Sequence, residues 1–140
     1  MPSFNDFVCF QMGLAARTLQ KYYNLKYSSY GITLAQSFIL FALYDQDGLG
    51  VKGLAEKLGL DSSAVTGLLD RMEKEEFLVK KIDPTDRRAF QISLTPKGRG
   101  LAEEIFPITN ELNESMQSSV SKEEWKAFMS FVSKIEEYCK

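Results

Sequence analysis

The sequence predicts a mainly α-helical fold of the α+β class, with one small β-hairpin. Apolar residues recur at the three- and four-residue intervals of amphipathic helices through most of the 140 residues. Two short runs near the middle, FLVKKI and AFQISL, suit β-strands instead, and the second alternates apolar with polar residues. Because this length is about that of one domain, we expect a single unit over residues 1–140.

The first two helices are delimited by turn-forming residues. Helical spacing of apolar side chains predicts one long first helix from Phe4 to about Tyr27, which the segment SSYGIT ends. Thr33 is suited to cap a second helix, and the segment DQDGLG ends that helix.

Two further helices follow with only a glycine turn between them. The third predicted helix, VKGLAEKL, ends at Gly59, a residue suited to a left-handed C-terminal cap. Asp61 is a good N-cap for the fourth helix. The core-facing positions of that helix follow the i, i+3, i+4, i+7 pattern and are Val65, Leu68, Leu69 and Met72.

After the hairpin, two more helices are predicted. Thr95 is placed to cap the fifth helix, with Pro96 at its first position, where the missing N–H costs least. We expect Pro107 to bend or break this helix. Ser121 and Glu124 match the capping-box pattern and open the last helix.

Helix, tight turn, helix and hairpin together form a winged helix-turn-helix, in which the second of these helices enters the major groove of DNA. Short hydroxyl side chains and free N–H groups at a helix N-terminus favour close approach to bases and phosphates. The same residues could instead form a solvated helix face. The face of the fourth helix opposite its core residues consists of Ser62, Ser63, Thr66, Gly67, Asp70, Arg71 and Lys74.

The tip of the hairpin, DPTDRRAF, carries two arginines that a turn does not require. A narrow minor groove has an enhanced negative potential, which attracts an inserted guanidinium. Adjacent strand residues point to opposite sides, so we expect Arg87 and Arg88 to differ in role, with one in the groove and the other on a phosphate or an aspartate. Asp83 and Asp86 would repel DNA, so we expect them to orient the arginines or cap the turn. The alternative is a solvated charge cluster.

The segment LAEKLGLDSSAVTGLLDRMEKEEFLVKKIDPTDRRAFQISLTPKG resembles the DNA-binding core of the MarR family of transcription regulators, including its D-x-x-D-R-R wing and the following LTPKG. The flanking helices are similar too. The resemblance implies a homodimer that binds a pseudo-palindromic operator in double-stranded DNA and usually represses. It also implies recognition-helix contacts by Ser62, Ser63, Thr66 and Arg71, and a minor-groove contact by Arg88. Lys74 and Arg87 complete the expected DNA-binding set.

The resemblance divides the chain into two functional parts. Residues 33–100 are expected to form the winged helix-turn-helix, and residues 1–32 and 101–140 the helical dimerisation region. The last helix is apolar around more of its circumference than a surface helix needs, which independently favours a partner chain.

Composition excludes several other classes of function. The net charge is −2, the chain has no histidine, and its two cysteines stand at opposite ends, so we expect no metal site and no cofactor. Neighbouring carboxylates on a helix diverge by about 100°, which argues against an enzyme. No apolar run approaches the roughly 20 residues of a membrane span, and no export signal is recognisable, so a cytoplasmic protein is expected.

The sequence leaves open which of two kinds of signal controls DNA binding. Cys9-Phe10 resembles the reactive CF of the family's organic-hydroperoxide-sensing branch, and Tyr23 matches one of its thiol-contacting tyrosines, but Gly13 replaces the other. Cys9 could equally be structural, and Cys139 could either resolve its oxidised form or have no role. An effector such as a small phenol or aromatic carboxylate is the other signal. Its candidate pocket consists of Arg17, Tyr22, Tyr27 and Tyr30, although such aromatics commonly form core packing.

The sequence therefore predicts a dimeric, sequence-specific DNA-binding regulator. We expect a repressor that is relieved by a small aromatic ligand or by oxidation of Cys9. The alternative is a winged-helix protein–protein interaction module without DNA binding, which the negative net charge favours.

Overall fold

The computed structural model describes all residues, 1–140, and is mainly helical with one two-stranded antiparallel sheet. Residues 1–105 form one compact unit and residues 106–140 a second. The helices and strands, in chain order, are α1 (Val8–Lys26), α2 (Leu34–Asp45), α3 (Val51–Leu58), α4 (Ser62–Lys74), β1 (Leu78–Ile82), β2 (Phe90–Leu94), α5 (Pro96–Ser118) and α6 (Lys122–Tyr138).

The prediction of one uninterrupted first helix was wrong at its start. Residues Phe4–Asp6 form a separate 3₁₀ turn, and Phe7 is extended before α1 begins. Ser3 and Asp6 form a capping box around this turn, which stabilises it as an independent element. The turn brings the ring of Phe4 edge-on to that of Phe10, with 4.9 Å between their centroids.

The predicted helix caps are confirmed. The Thr33 hydroxyl accepts a hydrogen bond from the Gln36 backbone N–H, and the Gln36 side chain accepts one from the Thr33 N–H. Gly59 ends α3 in the left-handed conformation at φ 66°. Ser121 and Glu124 form the predicted capping box of α6. These bonds satisfy backbone groups that a helix end leaves unpaired, so they fix the bounds of three helices.

The hairpin is joined to the segment before α3 as well as to itself. Strands β1 and β2 pair from Leu78 opposite Leu94 to Ile82 opposite Phe90. A further antiparallel bridge links Ile92 to Leu49. In it the Ile92 N–H donates to the Leu49 carbonyl at 2.8 Å, and the Gly48 N–H donates to the Ile92 carbonyl at 2.9 Å. This long-range bridge joins the middle of β2 to the segment between α2 and α3, so the hairpin is not a free arm.

The core of residues 1–105 is built mainly from α2, α3, α4 and the hairpin. Its fully buried side chains include Ile39, Leu40, Leu43, Leu54, Val65, Leu69, Met72, Leu78, Ile92 and Ile105. In α4 the predicted core positions are buried or, for Leu68, half-buried, which confirms the orientation of that helix. Its opposite face is left to solvent.

Pro107 does not break α5, which is helical from Pro96 to Ser118, so that part of the prediction was wrong. A proline inside a helix removes one backbone hydrogen bond, at a cost of about 3 kcal/mol. Buried Leu101, Ala102 and Ile105 hold the preceding turns in the helix. In the unit of residues 106–140, no residue of α6 is buried. None of the helices has the length and apolar content that a bilayer crossing demands.

Candidate nucleic-acid interface

The exposed face of α4 is a ridge of small and charged side chains. All seven of the residues expected there are exposed, from Ser62 at the first turn to Lys74 at the last position. Gly67 lies in the middle of this face, and a Cβ built on it would have no atom within 4 Å. The face therefore has no side chain at its centre, and Arg71 and Lys74 lie toward the C-terminal end.

The first turn of α4 is fixed by Asp61. One oxygen of its carboxylate accepts the Ala64 N–H at 2.8 Å and the Ser63 hydroxyl at 2.6 Å. These two hydrogen bonds, the hydroxyl's first, hold the pKa of Asp61 below its usual value. The Thr66 hydroxyl donates to the Ser62 carbonyl at 2.8 Å. Of the hydroxyl groups of Ser62, Ser63 and Thr66, the last two thus have fixed directions before any ligand binds.

The hairpin tip is built by its two aspartates. Asp83 accepts both the N–H and the hydroxyl of Thr85, at 2.8 and 2.7 Å, and these bonds, the hydroxyl's first, lower its pKa. Asp86 accepts the backbone N–H of Arg88 at 3.0 Å. Both carboxylates act as turn-forming acceptors, a common use of aspartate in loops. The tip therefore has a defined conformation although it is exposed.

Arg87 and Arg88 lie in this turn and not in β2, so the strand alternation argued from the sequence does not apply to them. The Arg88 side chain is 95% exposed, and its Nε lies 3.7 Å from Asp86 Oδ1. Arg87 is also exposed and forms no ion pair within the chain. An exposed pair at this distance is weak, which leaves the Arg88 guanidinium available to an anionic partner.

Sequence reasoning missed Lys80, which joins the hairpin to α4. Its Nζ donates to Asp70 Oδ1 and lies 3.8 Å from Glu73 Oε1, while its side chain is only 17% exposed. The signal was present in the alternation of β1, because Lys80 is two residues from buried Leu78 and so shares its face.

The junction between α4 and α5 was also missed. Three backbone carbonyls that follow α4 accept bonds from the start of α5: Glu75 from Lys97 Nζ at 2.8 Å, Glu76 from the Thr95 hydroxyl at 2.6 Å, and Phe77 from Thr95 N–H at 3.1 Å. The N–H of buried Gly98 donates to the Thr95 hydroxyl at 3.0 Å. This junction, residues 75–77 with 95–98, fixes the end of α4 where the chain enters the hairpin.

The two candidate redox residues are not adjacent within one chain. Cys9 and Tyr23 both lie on α1, separated by 14 positions and hence by roughly 21 Å along a helix. Cys9 and Cys139 are both exposed thiols. Tyr23 is buried, and this burial, with Tyr27 and Tyr22 nearby, raises its pKa. Contact between a Tyr23 ring and Cys9 would require a second chain.

Of the four residues expected to form an aromatic pocket, Arg17 lines a surface cavity on α1. This cavity has a volume of about 540 Å³ and is lined by Arg17, Gln20, Lys21, Asn24, Leu25 and Ser28. Tyr22, Tyr27 and Tyr30 do not line it. Tyr27 is fully buried and its ring stacks on Tyr23 with centroids 5.7 Å apart, so it is a core residue. Five of the six residues that line the cavity are polar or charged, whereas the sequence predicted mainly tyrosines around Arg17.

Comparison with known proteins gives consistent matches along most of the chain. The model of the MarR family matches residues 32–90. The HTH-type transcriptional regulator SarZ of Staphylococcus aureus is 32% identical over 112 residues, which cover 77% of this chain and 76% of SarZ.

Solved structures agree over nearly the full length. The S. aureus MepR–DNA complex matches with a TM-score of 0.91 and 24% identity, covering 96% of this chain and 99% of MepR. Bordetella bronchiseptica BpsR, whose DNA binding is regulated by 6-hydroxynicotinic acid, matches with a TM-score of 0.88 and 25% identity, covering 97% of each chain.

Proposed function

The chain belongs to the MarR family of DNA-binding transcription regulators, which are not enzymes, and on that premise we propose that it is a homodimeric, sequence-specific repressor. The observation that carries the proposal is the pairing of an exposed small-residue face on α4 with an arginine-bearing hairpin tip. Family membership favours DNA over the protein–protein alternative. A repressor acts on the chromosome, so the proposal places the protein in the cytoplasm.

We assign the DNA contacts to two elements within residues 33–100. The N-terminal turn of α4 enters the major groove, where its hydroxyl groups reach base edges and phosphates. Arg88 enters the adjacent minor groove, and Arg87 meets a phosphate. The contact residues on α4 are Ser62, Ser63, Thr66, Arg71 and Lys74.

Residues 1–32 and 101–140 are proposed to form the dimer. Only Tyr23 of the 19 residues in α1 is buried within one chain, and α6 exposes Phe128, Met129 and Phe131 at 44–47%. Apolar side chains in such number are covered by a partner in stable proteins. A two-fold dimer then presents its two α4 helices to half-sites about 34 Å apart, which makes the operator a pseudo-palindrome.

Relief of repression is assigned to one of two signals. Oxidation of Cys9 is favoured by the exposure of its thiol, with Cys139 as a second exposed thiol that could resolve a sulfenic acid by disulfide formation. An aromatic carboxylate is favoured by Arg17, which lines the cavity on α1 and can pair with a carboxylate. The ligand that regulates BpsR is of this chemical class.

Substituting Cys9→Ser separates the two signals. If Cys9 is the sensor, an organic hydroperoxide releases the wild-type protein from its operator and leaves the Cys9→Ser protein bound, because serine forms no sulfenic acid. Fluorescence anisotropy with labelled operator measures the release, and untreated Cys9→Ser protein is the control for binding itself. If the variant is released as readily as the wild type, Cys9 is not the sensor and aromatic carboxylates become the compounds to titrate.

Gly67→Ala is expected to stabilise the free protein and weaken operator binding. Alanine in a helix interior is favoured over glycine by about 0.5–1 kcal/mol, and the added Cβ meets nothing in the free protein. Against DNA the same methyl group fills space at the centre of the proposed contact face. Thermal unfolding and operator titration of the same preparation measure both effects. A rise in stability with unchanged affinity would show that this face does not approach DNA closely.

The direct test of the function is an anisotropy titration against the DNA upstream of the protein's own gene, across a series of salt concentrations. We expect tight binding whose logarithm falls linearly with that of salt, by about 0.9 for each phosphate neutralised. A duplex of the same length with scrambled sequence is the control. Equal, weak and salt-independent association with both duplexes would contradict the proposal.

A further inference from the structure

The carboxylates of Asp70 and Glu73 raise an electrostatic problem for the proposed interface. Asp70 lies on the exposed face of α4 with Thr66 and Arg71, and its side chain is 56% exposed. Glu73, one turn further on, is 45% exposed. Two negative charges beside a DNA-facing surface repel phosphates, and their effect is strongest at low ionic strength.

Lys80 is the one cation that forms an ion pair with either carboxylate within the chain. It reaches both from β1, where it lies opposite Ile92 on the face of the hairpin that packs toward the core. With 17% of its side chain exposed, its stem is held by packing and its ammonium group is largely occupied by the two acids. Its neighbour Lys81 lies on the opposite, solvent-exposed face and forms no such pair.

We propose that Lys80 is a positioning residue for operator binding that acts by offsetting one of the two negative charges of Asp70 and Glu73, chiefly that of Asp70, and not by contacting DNA itself. The inference rests on the proposed function, because the carboxylates matter only if α4 faces phosphates. It explains how a recognition helix can carry acidic residues on and beside its contact face. The hairpin then has two separate roles: Arg88 at its tip contacts DNA, and Lys80 in the middle of β1 offsets negative charge on α4.

The test compares operator affinity across a salt series for wild type, Lys80→Met, and Lys80→Met combined with Asp70→Asn, a double variant whose net charge equals that of the wild type. Methionine keeps the apolar stem and removes the charge. We expect Lys80→Met to weaken binding about tenfold at low salt, and less as salt screens the uncompensated carboxylates. The double variant is expected to regain wild-type affinity and salt slope. Lys80→Arg, which keeps the charge, should bind as wild type does.

Other outcomes would overturn the inference. If Lys80 contacts a phosphate, the double variant stays weak and its salt slope falls by about 0.9. If the residue is merely structural, the loss in Lys80→Met is the same at every salt concentration and follows a lower melting temperature. Should Lys80→Met not fold, the double variant and Lys80→Arg still decide between these outcomes. Failure of the wild type to bind any DNA would instead overturn the proposed function.

Discussion

Replacing Arg88 with alanine is expected to weaken operator binding by about 10- to 100-fold while leaving the fold intact. The Arg88 side chain is 95% exposed and contributes nothing to the core, so its loss costs the free protein little. In the complex, the guanidinium would be the group that occupies the minor groove, where the negative potential is highest. Titration at matched salt and circular dichroism of the same sample measure both parts.

Lys140→Ala is the matched control for Arg88→Ala. It also removes one positive charge, but from the last residue of the chain, beyond the end of α6, and it is expected to change affinity by less than about threefold. Arg88→Ala should also reduce binding to the operator more than binding to a scrambled duplex, because a groove contact depends on sequence. Unchanged affinity in Arg88→Ala, or an equal loss in both variants, would remove Arg88 from the interface.

The largest expected effect on stability comes from Gly98→Ala. A Cβ at this position would lie 1.9 Å from the carbonyl oxygen of Phe77, well inside van der Waals contact. Neither group can move freely, because Thr95 N–H donates to that same oxygen and Gly98 is buried in α5. The overlap with backbone is expected to lower the free energy of unfolding by about 3 kcal/mol or more.

Gly100→Ala provides the contrast, since it lies two residues away in the same helix. No atom lies within 4 Å of a Cβ built at Gly100, so alanine there is expected to stabilise the protein by about 0.5–1 kcal/mol. Urea unfolding of both variants measures the difference. If the two substitutions changed stability alike, the close approach of α5 to Phe77 would not exist as described.

The local signals in the sequence were sufficient for most of the secondary structure. Three helices begin at an N-cap whose side-chain oxygen accepts the N–H three residues further on: Thr33, Asp61 and Ser121. Because both partners are close in sequence, local pattern alone locates the start of each of these helices. The same kind of signal, Ser3 with Asp6, marks the separate turn before α1, although helical spacing alone predicted a continuous helix there. At Pro107 the local signal predicted a break, but the helix continues, because packing of the preceding turns outweighs one lost hydrogen bond.

The features that position the candidate interface are long-range and were not predictable from local pattern. The bridge from Leu49 to Ile92 joins residues 43 positions apart. The contact of Gly98 with Phe77 is between helix and loop, and only the three-dimensional arrangement shows that a methyl group has no room there. For Tyr27 the local pattern was ambiguous, because its spacing suited a ligand pocket as well as the core, and its complete burial shows that it is a core residue.

Selection of bound sequences from a random pool of DNA duplexes tests the central claim most directly, because the operator does not have to be identified first. The protein is mixed with the pool at moderate salt, and bound duplexes are recovered, amplified and sequenced over successive rounds. We expect enrichment of an inverted repeat whose half-site centres are separated by about one helical turn, roughly 10 base pairs. A pool that remains random after selection, with no sequence bound above background, would contradict a dimeric, sequence-specific DNA-binding regulator.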